Sequence, residues 1–448
     1  MREGAGATAC GGGFAAGRRG RAFLLALAVS CIALAAAQAA PPRPLPASAP
    51  QFARSCIIKP PDIAPLFPAA EEASAAAAPD AEDDTDDDAD DDDDDDDADD
   101  DADDDDDVPG LILPGSSTCL AVSGSVTAGL QYDSYRIPRA GNAAPPPAYS
   151  WPTSTSLRIE TAHDLASGLR IGSAVEMSMR PGTDQPDSMT LDEAIVTVGT
   201  MTFGLTGTFF SFWTGDEFAF SARLPGRNVG LIGWQRDLTE RWNLALSVED
   251  PTLATTATIP VVKGRVPDGV ARLTYTQGGL TLHMAGALRD VPGSVPKLGR
   301  AGIIGATYEL PILGRPGEIT AQLAGAVDAP AYIGSSLDAT IVSQVLTSAD
   351  SSRGFSGVLA ARREWTDELA SNLFVSRYQL TLPLTNAAKG KLKIDRASAN
   401  LVWTPVEGLK AGIEGSVAWT RVAIADRVLP LTLGGRQLSA QLFIERSF

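Results

Sequence analysis

The chain has 448 residues, of which 44% are hydrophobic and 21% are charged, and its formal net charge at pH 7 is −20. The apolar fraction excludes a disordered protein, and a pI near 4.5 argues against a protein that binds nucleic acid. The charge is unevenly placed, because residues 80–107 hold 23 acidic side chains and no basic one, whereas residues 108–448 hold 29 of each sign. The negative charge therefore belongs to one acidic insert in front of a neutral body.

Residues 1–39 have the pattern of a signal peptide. Three arginines precede an apolar run over residues 22–37, and the small residues that follow predict cleavage after Ala39. A membrane anchor is the alternative, because the run approaches the length of a transmembrane helix, but its alanine-rich composition and Pro41 favour cleavage.

Residues 40–111 are predicted to form a disordered periplasmic segment. The segment is rich in Ala and Pro at first, and the run over residues 80–107 repels itself too strongly to pack. Its carboxylates would attract Ca²⁺ or Mg²⁺ loosely, but the ligand spacing of a calcium-binding loop is missing from the sequence. No dedicated metal site and no cofactor are predicted.

Two cysteines remain after the signal is removed. Cys56 and Cys119 form an even pair in an oxidising compartment, which favours a disulfide between them. Two unpaired thiols are the alternative.

From Cys119 onward the sequence alternates with a period of two, apolar residues on one face and polar residues on the other. In the first such segment Val122, Val126 and Leu130 share one face, and the polar residues Ser123 and Thr127 share the opposite face. Sixteen segments of this kind start near residues 119, 153, 169, 189, 202, 226, 242, 267, 280, 300, 317, 353, 369, 393, 409 and 432.

The connections between these segments alternate between short turns and long loops. This pattern predicts an all-β protein over residues 112–448, a transmembrane up-and-down antiparallel β-barrel of about 16 strands in the Gram-negative outer membrane, with both termini periplasmic. A secreted β-sandwich or β-helix is the alternative, because one sheet face against a core also alternates. The apolar last segment, which ends at Phe448, favours the barrel.

Several short motifs occur in one order along residues 112–448. Pro114–Leu120 precedes a Gly-containing alternating segment, and the chain ends on Ile444–Phe448. Between them lie the motifs Leu191–Ala194, Met201–Gly204 and Asn400–Pro405. In their order and spacing these motifs resemble the first strand, the paired fourth and fifth strands and the Arg-x-Phe terminus of alphaproteobacterial porins of the rhizobial and Brucella type.

The resemblance implies a homotrimeric outer-membrane porin, embedded in lipid, that passes small hydrophilic solutes and ions by passive diffusion without a cofactor. It also implies that Cys56 and Cys119 correspond to the N-terminal cysteine pair of that family. The chain departs from the family here, because the acidic run separates the two cysteines where the family has a short aromatic stretch.

The connection over residues 211–228 resembles the porin loop that folds into the lumen. It carries Asp216 and Glu217 within an aromatic stretch formed by Phe210, Phe212, Trp213, Phe218 and Phe220. Arginines predicted to face the lumen are Arg158, Arg170, Arg180, Arg272 and Arg289. We expect the acidic loop and the basic wall to form a constriction with a transverse electric field.

Two other functions are alternatives to a diffusion pore. An enzyme is not expected, because His163 and His283 are the only histidines and the sequence has no hydrolase, metalloprotease, Walker or dinucleotide motif. A structural barrel, or one that binds a cation or a partner without an open pore, is the second alternative. If the pore conducts, the acidic segment is expected to bias it towards cations.

Overall fold

The computed structural model describes residues 55–58, 108–136, 146–180, 188–218, 225–250, 264–291, 297–334, 352–383, 389–425 and 431–448. The predicted signal peptide and acidic run lie outside these residues. The first strands are β1 (Ser55–Ile58), β2 (Val108–Ile112), β3 (Cys119–Arg136), β4 (Ala148–Ser150), β5 (Thr153–Asp164), β6 (Arg170–Arg180), β7 (Ser188–Val198), β8 (Met201–Gly207), β9 (Asn228–Thr239) and β10 (Trp242–Asp250). They are followed by β11 (Asp268–Gln277), β12 (Leu280–Val291), β13 (Lys297–Glu309), β14 (Gly317–Val327), β15 (Arg353–Thr366), β16 (Leu369–Pro383), β17 (Lys389–Val406), β18 (Leu409–Ala425) and β19 (Leu431–Ser447).

Strands β3 and β5–β19 form a closed antiparallel barrel of sixteen strands. Each strand pairs with its neighbour in sequence, and β19 closes the barrel by pairing with β3 from Arg436↔Arg136 to Ser447↔Ser125. The sixteen-stranded barrel predicted from the period of two is confirmed, and every expected start lies within four residues of the observed one. Closure leaves none of these sixteen strands as an unpaired edge, which is the condition for spanning a membrane with strands.

The outer face of the barrel is apolar and its inner face is mainly polar. On β14, for example, Leu323 points outwards and is 52% exposed, whereas Gln322 points inwards and is 5% exposed. Similar outward-facing residues include Val126, Ile304, Val375 and Ile413. An apolar outer band around a closed barrel is the surface that lipid requires. Among the described residues, no helix is long and apolar enough to cross a membrane.

The two ends of the barrel differ in their connections. Short turns join β5 to β6, β7 to β8 and β17 to β18, and they contain Gly168, Gly199 and Gly408 at φ values of +80°, +55° and +71°. Such left-handed backbone favours glycine, which explains these three residues. The long connections lie at the opposite end. The first residues of β3 and the C-terminal Phe448, which pairs with Gly124 through two backbone hydrogen bonds, lie at the short-turn end.

A small N-terminal sheet continues the barrel wall at the short-turn end. Strand β2 pairs with the start of β3, and β1 pairs with β2 from Ser55↔Leu111 to Ile58↔Val108. A disulfide joins Cys56 to Cys119, with 6.0 Å between the two Cα atoms. Both ends of the segment that contains the acidic run are therefore fixed beside the barrel.

Candidate pore constriction

The connection between β8 and β9 folds into the lumen. Its first residues are held by Glu249 on β10, whose carboxylate accepts hydrogen bonds from the Thr208 hydroxyl at 2.9 and 2.8 Å and from the Phe209 amide at 3.2 Å. Thr208 also donates its amide to the carbonyl of Arg227, which closes the base of the connection. We call residues 208–227 the inner loop; the structure describes all of it except residues 219–224, which include the predicted aromatic Phe220.

Aromatic side chains fasten the inner loop to the inner wall. The Phe212 ring stacks on His283 of β12 at 5.0 Å between centroids, directly over Gly305, where a Cβ atom would overlap the ring. Further along, Phe218 packs edge-on against Phe374 of β16 at 4.6 Å. These contacts bury apolar area inside a polar lumen, and they give the aromatic stretch of the sequence a structural role.

Two hydrogen bonds join the inner loop to strands on the far side of the barrel. The Trp213 amide donates to the side-chain oxygen of Gln322 on β14 at 2.9 Å, and the Asn400 side-chain amide on β17 donates to the carbonyl of Glu217 at 2.7 Å. In the strand order β17 is nine positions from β8 in one direction and seven in the other, so it lies on nearly the opposite wall. The inner loop therefore narrows the lumen.

The two carboxylates predicted on this loop are exposed within the barrel. Asp216 and Glu217 are both solvent-exposed, and the Thr214 hydroxyl donates to Asp216 at 2.5 Å. The backbone around them is fixed by the buried Phe218 and by the Asn400 contact. Their negative charges are therefore positioned to interact with ions and polar solutes in the lumen.

Arg158 lies in the lumen wall among three carboxylates. Its guanidinium forms ion pairs with Glu160 at 2.5 Å, with Glu176 at 3.1 Å and with Glu193. The Thr206 hydroxyl donates to Glu193 at 2.5 Å and extends the group onto β8. We call Arg158 and these three glutamates the acidic cluster, because its formal charge is negative. Sequence parity predicts a lumen-facing Arg158 but does not reveal its acidic neighbours.

The remaining predicted arginines do not lie at one level along the barrel axis. Arg170 begins β6 at the short-turn end and binds Asp164 at 2.6 Å, whereas the exposed Arg180 ends the same strand. A strand rises about 3.3 Å per residue, so these two residues are roughly 30 Å apart along β6. They cannot both line one constriction.

Arg272 on β11 lies beneath the inner loop, and Arg289 on β12 is buried. Arg272 donates to Gln235 at 2.9 Å and lies over the Phe209 ring at 5.0 Å, and Arg289 is only 1% exposed. The expected arrangement, with five arginines facing an acidic loop, therefore differs from the structure. Two of the five arginines pair with acids, one lies at the far end of β6, one lies beneath the inner loop and one is buried. Parity predicts which side of a strand a residue faces, but not its height along the barrel or its neighbours.

A second inward segment supports the inner loop and was not predicted. The short 3₁₀ helix Pro330–Ile333 follows β14 and is buried, and the Tyr332 ring packs edge-on against Phe210 at 5.0 Å. The Tyr332 hydroxyl donates to Asp268 at 3.0 Å and to Glu249 at 3.3 Å. Burial and these two carboxylates raise the pKa of Tyr332 well above its usual value, so the phenol keeps its proton. The sequence signal for this segment is the mainly apolar run Pro330–Ile333 within the long connection between β14 and β15.

No group of His, Cys, Asp and Glu side chains suited to a metal ion occurs among the described residues. His283 is buried beneath the inner loop and contacts the Phe210 carbonyl at 3.2 Å, while His163 contacts the Ser117 hydroxyl at 3.1 Å. The two histidines are thus accounted for by packing and by a surface contact.

No protein-family model and no curated protein matches the sequence. Among solved structures, OmpF of Salmonella typhi in complex with daunomycin has a TM-score of 0.50 at 10% identity, over 74% of this chain and 98% of that chain. The anion-selective porin from Comamonas acidovorans has a TM-score of 0.49 at 13% identity, over 74% and 100% of the two chains. OmpT of Vibrio cholerae, in its trimer form, has a TM-score of 0.42 at 10% identity, over 73% and 100%. The similarity to OmpF shows that the chain shares its barrel fold.

Proposed function

We propose that this protein is an outer-membrane porin through which small hydrophilic solutes and ions diffuse passively. The observation that carries the proposal is the inner loop, which crosses a closed barrel from β8 to Asn400 on β17 and leaves two carboxylates exposed in the lumen. A polar lumen with a charged constriction selects solutes by size and sign and needs no catalytic group or cofactor. The proposed function is non-enzymatic.

The carboxylates of the inner loop and of the acidic cluster favour cations in this proposal. Asp216 and Glu217 project from the inner loop, and the acidic cluster adds three carboxylates around the single Arg158. Fixed negative charge raises the local concentration of cations and lowers that of anions. The constriction then combines the inner-loop carboxylates with the acidic cluster, in place of a basic wall.

Three finer features belong to the same proposal. The resemblance to alphaproteobacterial porins supports membership of that group and assembly as a homotrimer. The short-turn end, where β3 begins and Phe448 ends the chain, would face the periplasm, as would the segment over residues 40–111. Residues 1–39 would be removed on export.

Single-channel recording in a planar bilayer tests the function. Each insertion of the mature protein should produce a current step whose conductance corresponds to a water-filled lumen. If the protein is a trimer, the steps should come in multiples of three. A salt gradient across the bilayer should give a reversal potential of the sign expected for cation preference. The same preparation after heat denaturation is the control, because it retains every contaminant but no folded barrel.

A folded barrel that inserts without conducting would contradict the proposal. It would favour a structural barrel, or one that binds a cation or a partner. Folding is checked independently by the mobility shift between heated and unheated protein on a gel, so a silent bilayer is not mistaken for failed insertion.

A further inference from the structure

A group of basic side chains faces outwards at the long-loop end of the barrel. Arg421 on β18 and Arg436 on β19 share the outward parity of Trp419 and Leu438, which are 47% and 42% exposed on the lipid-facing side. Arg136 ends β3 with the same orientation and pairs in register with Arg436. Lys393 on β17 pairs in register with Arg421. Four cations on four adjacent strands thus occupy one patch of the outer wall.

These side chains surround a surface cavity of about 290 Å³. Gly434 faces Arg421 across the ladder and has no side chain, so a gap remains between the two basic strands. A Cβ atom at Gly434 would meet only a backbone oxygen at 3.7 Å, so the packing of the barrel does not require this glycine. We call the site lined by Arg136, Lys393, Arg421, Arg436 and Gly434 the basic cavity.

Among the described residues, no carboxylate balances the positive charge of the three arginines in the basic cavity. Asp395 is the one carboxylate among its described lining residues, and it already pairs with Lys393 at 2.9 Å and with Arg377 at 2.6 Å. Within the described part of the chain, Arg136, Arg421 and Arg436 form no ion pair. Three adjacent guanidinium groups on a lipid-facing wall are suited to an external anion, and guanidinium binds phosphate in a bidentate manner.

The surface directly below the basic cavity is apolar. Trp419 lies beside it, and Val417 and Leu438 pair in register two residues further into the barrel wall. An aromatic ring at the edge of an apolar band is typical of the membrane interface. A ligand that fits both the basic cavity and the apolar surface below it has an anionic head group at the level of the arginines and hydrocarbon chains along the apolar band.

We propose that the basic cavity binds the phosphate group of a lipid in the membrane leaflet at the long-loop end. The guanidinium groups of Arg136, Arg421 and Arg436 hold the phosphate, and the acyl chains lie against the apolar wall below. The site requires a barrel that sits in a membrane, but it does not require that barrel to conduct. It therefore stands apart from the proposed solute pathway.

Native mass spectrometry of the detergent-solubilised mature chain tests the proposal. Dioleoyl phosphatidic acid is the anionic probe, and dioleoyl phosphatidylcholine, with the same chains but a zwitterionic head, is the neutral reference. We expect a retained phosphatidic acid adduct that weakens as ionic strength rises. The triple variant Arg136→Gln, Arg421→Gln, Arg436→Gln should bind on the order of a hundredfold more weakly, since each cation near a lipid surface contributes about a factor of five.

A matched control separates the basic cavity from general surface charge. Arg300 and Arg353 are exposed on the outer wall at the same end, on β13 and β15. The double variant Arg300→Gln, Arg353→Gln should keep the phosphatidic acid adduct. An equal loss in both variants would show unspecific attraction and would overturn the site.

The other possible occupants give distinct results that would also overturn the proposal. If inorganic phosphate displaces the lipid at comparable concentration, the cavity is a site for free anions. If the triple variant changes only the oligomer mass, the face is a contact between copies of the chain. The gel-mobility shift verifies folding of each variant, and the salt dependence of the wild-type adduct tests the site without any substitution. A barrel that binds phosphatidic acid but carries no current would refute the porin proposal alone.

Discussion

Asn400 on β17 donates its side-chain amide to the backbone carbonyl of Glu217, with 2.7 Å between the nitrogen and the oxygen. This single hydrogen bond ties the far part of the inner loop to the wall opposite its origin, 183 residues away in the sequence. The same Asn400 accepts a hydrogen bond from the side-chain amide of Asn372 at 2.9 Å. A polar pair on two neighbouring strands thus fixes the position of the carboxylates in the lumen.

The substitution Asn400→Ala should loosen the inner loop without opening the barrel. A lost hydrogen bond of this kind costs about 1 kcal/mol, which is enough to raise the population of displaced loop conformations severalfold. Single-channel records should then show more frequent current fluctuations. Ser398→Ala is the matched control, because Ser398 is buried on the same strand and bonds to Ser416 at 2.8 Å. Equal noise in both variants would contradict the role of Asn400 as an anchor.

The exposed inner-loop carboxylates should set ion selectivity. The double variant Asp216→Asn, Glu217→Gln removes two negative charges and leaves the backbone contact with Asn400 in place, so the reversal potential in a salt gradient should shift towards zero. Asp367→Asn serves as the control, because Asp367 is 95% exposed in the turn between β15 and β16. If the two variants have the same reversal potential as the wild type, these carboxylates do not control the pore.

The sequence predicts the barrel well because one physical constraint acts on every strand. Lipid on one side and water on the other impose the period of two, and Leu323 beside Gln322 shows the outcome on β14. The inner loop was predicted through its resemblance, and its aromatic residues Phe212 and Phe218 do pack on the wall.

Side-chain partners across strands could not be predicted in the same way. The neighbours of Arg158 come from β5, β6 and β7, and their meeting depends on the stagger between strands, which parity does not encode. Tyr332 reaches Asp268 and Glu249 because the connection after β14 folds inwards, where it also packs against Phe210 of the inner loop. Both arrangements depend on contacts between distant parts of the chain.

Arg158 should be the cation that limits repulsion inside the acidic cluster. The variant Arg158→Gln leaves Glu160, Glu176 and Glu193 without their shared cationic partner. The reversal potential in a salt gradient should therefore move closer to the equilibrium potential of the cation. Divalent cations should also block the current at lower concentrations. Arg180→Gln removes the same charge from an exposed position at the end of β6 and should change the reversal potential less.

The acidic run should add to cation selectivity from outside the barrel. Ile58 pairs with Val108, so the segment between them starts and ends beside the barrel at the short-turn end. Deleting residues 80–107 removes 23 acidic side chains and should reduce the cation preference most at low salt, where screening is weakest. A variant with an uncharged Gly/Ser segment of equal length controls for chain length. Reversal potentials that stay unchanged in both variants would contradict this prediction.

Tyr332 should stabilise the packing of the two inward segments. Its hydroxyl donates to Asp268 and Glu249, both at most 2% exposed, and its raised pKa keeps the proton in place through the alkaline range where an ordinary tyrosine ionises. Tyr332→Phe removes the donor and leaves two buried carboxylates with one partner fewer, at a cost of about 1–3 kcal/mol. The temperature at which the barrel loses its fast gel mobility should therefore fall. Tyr149→Phe makes the same chemical change at a side chain that is 73% exposed, so it should leave that temperature unchanged, and an equal shift in both variants would argue against the buried network.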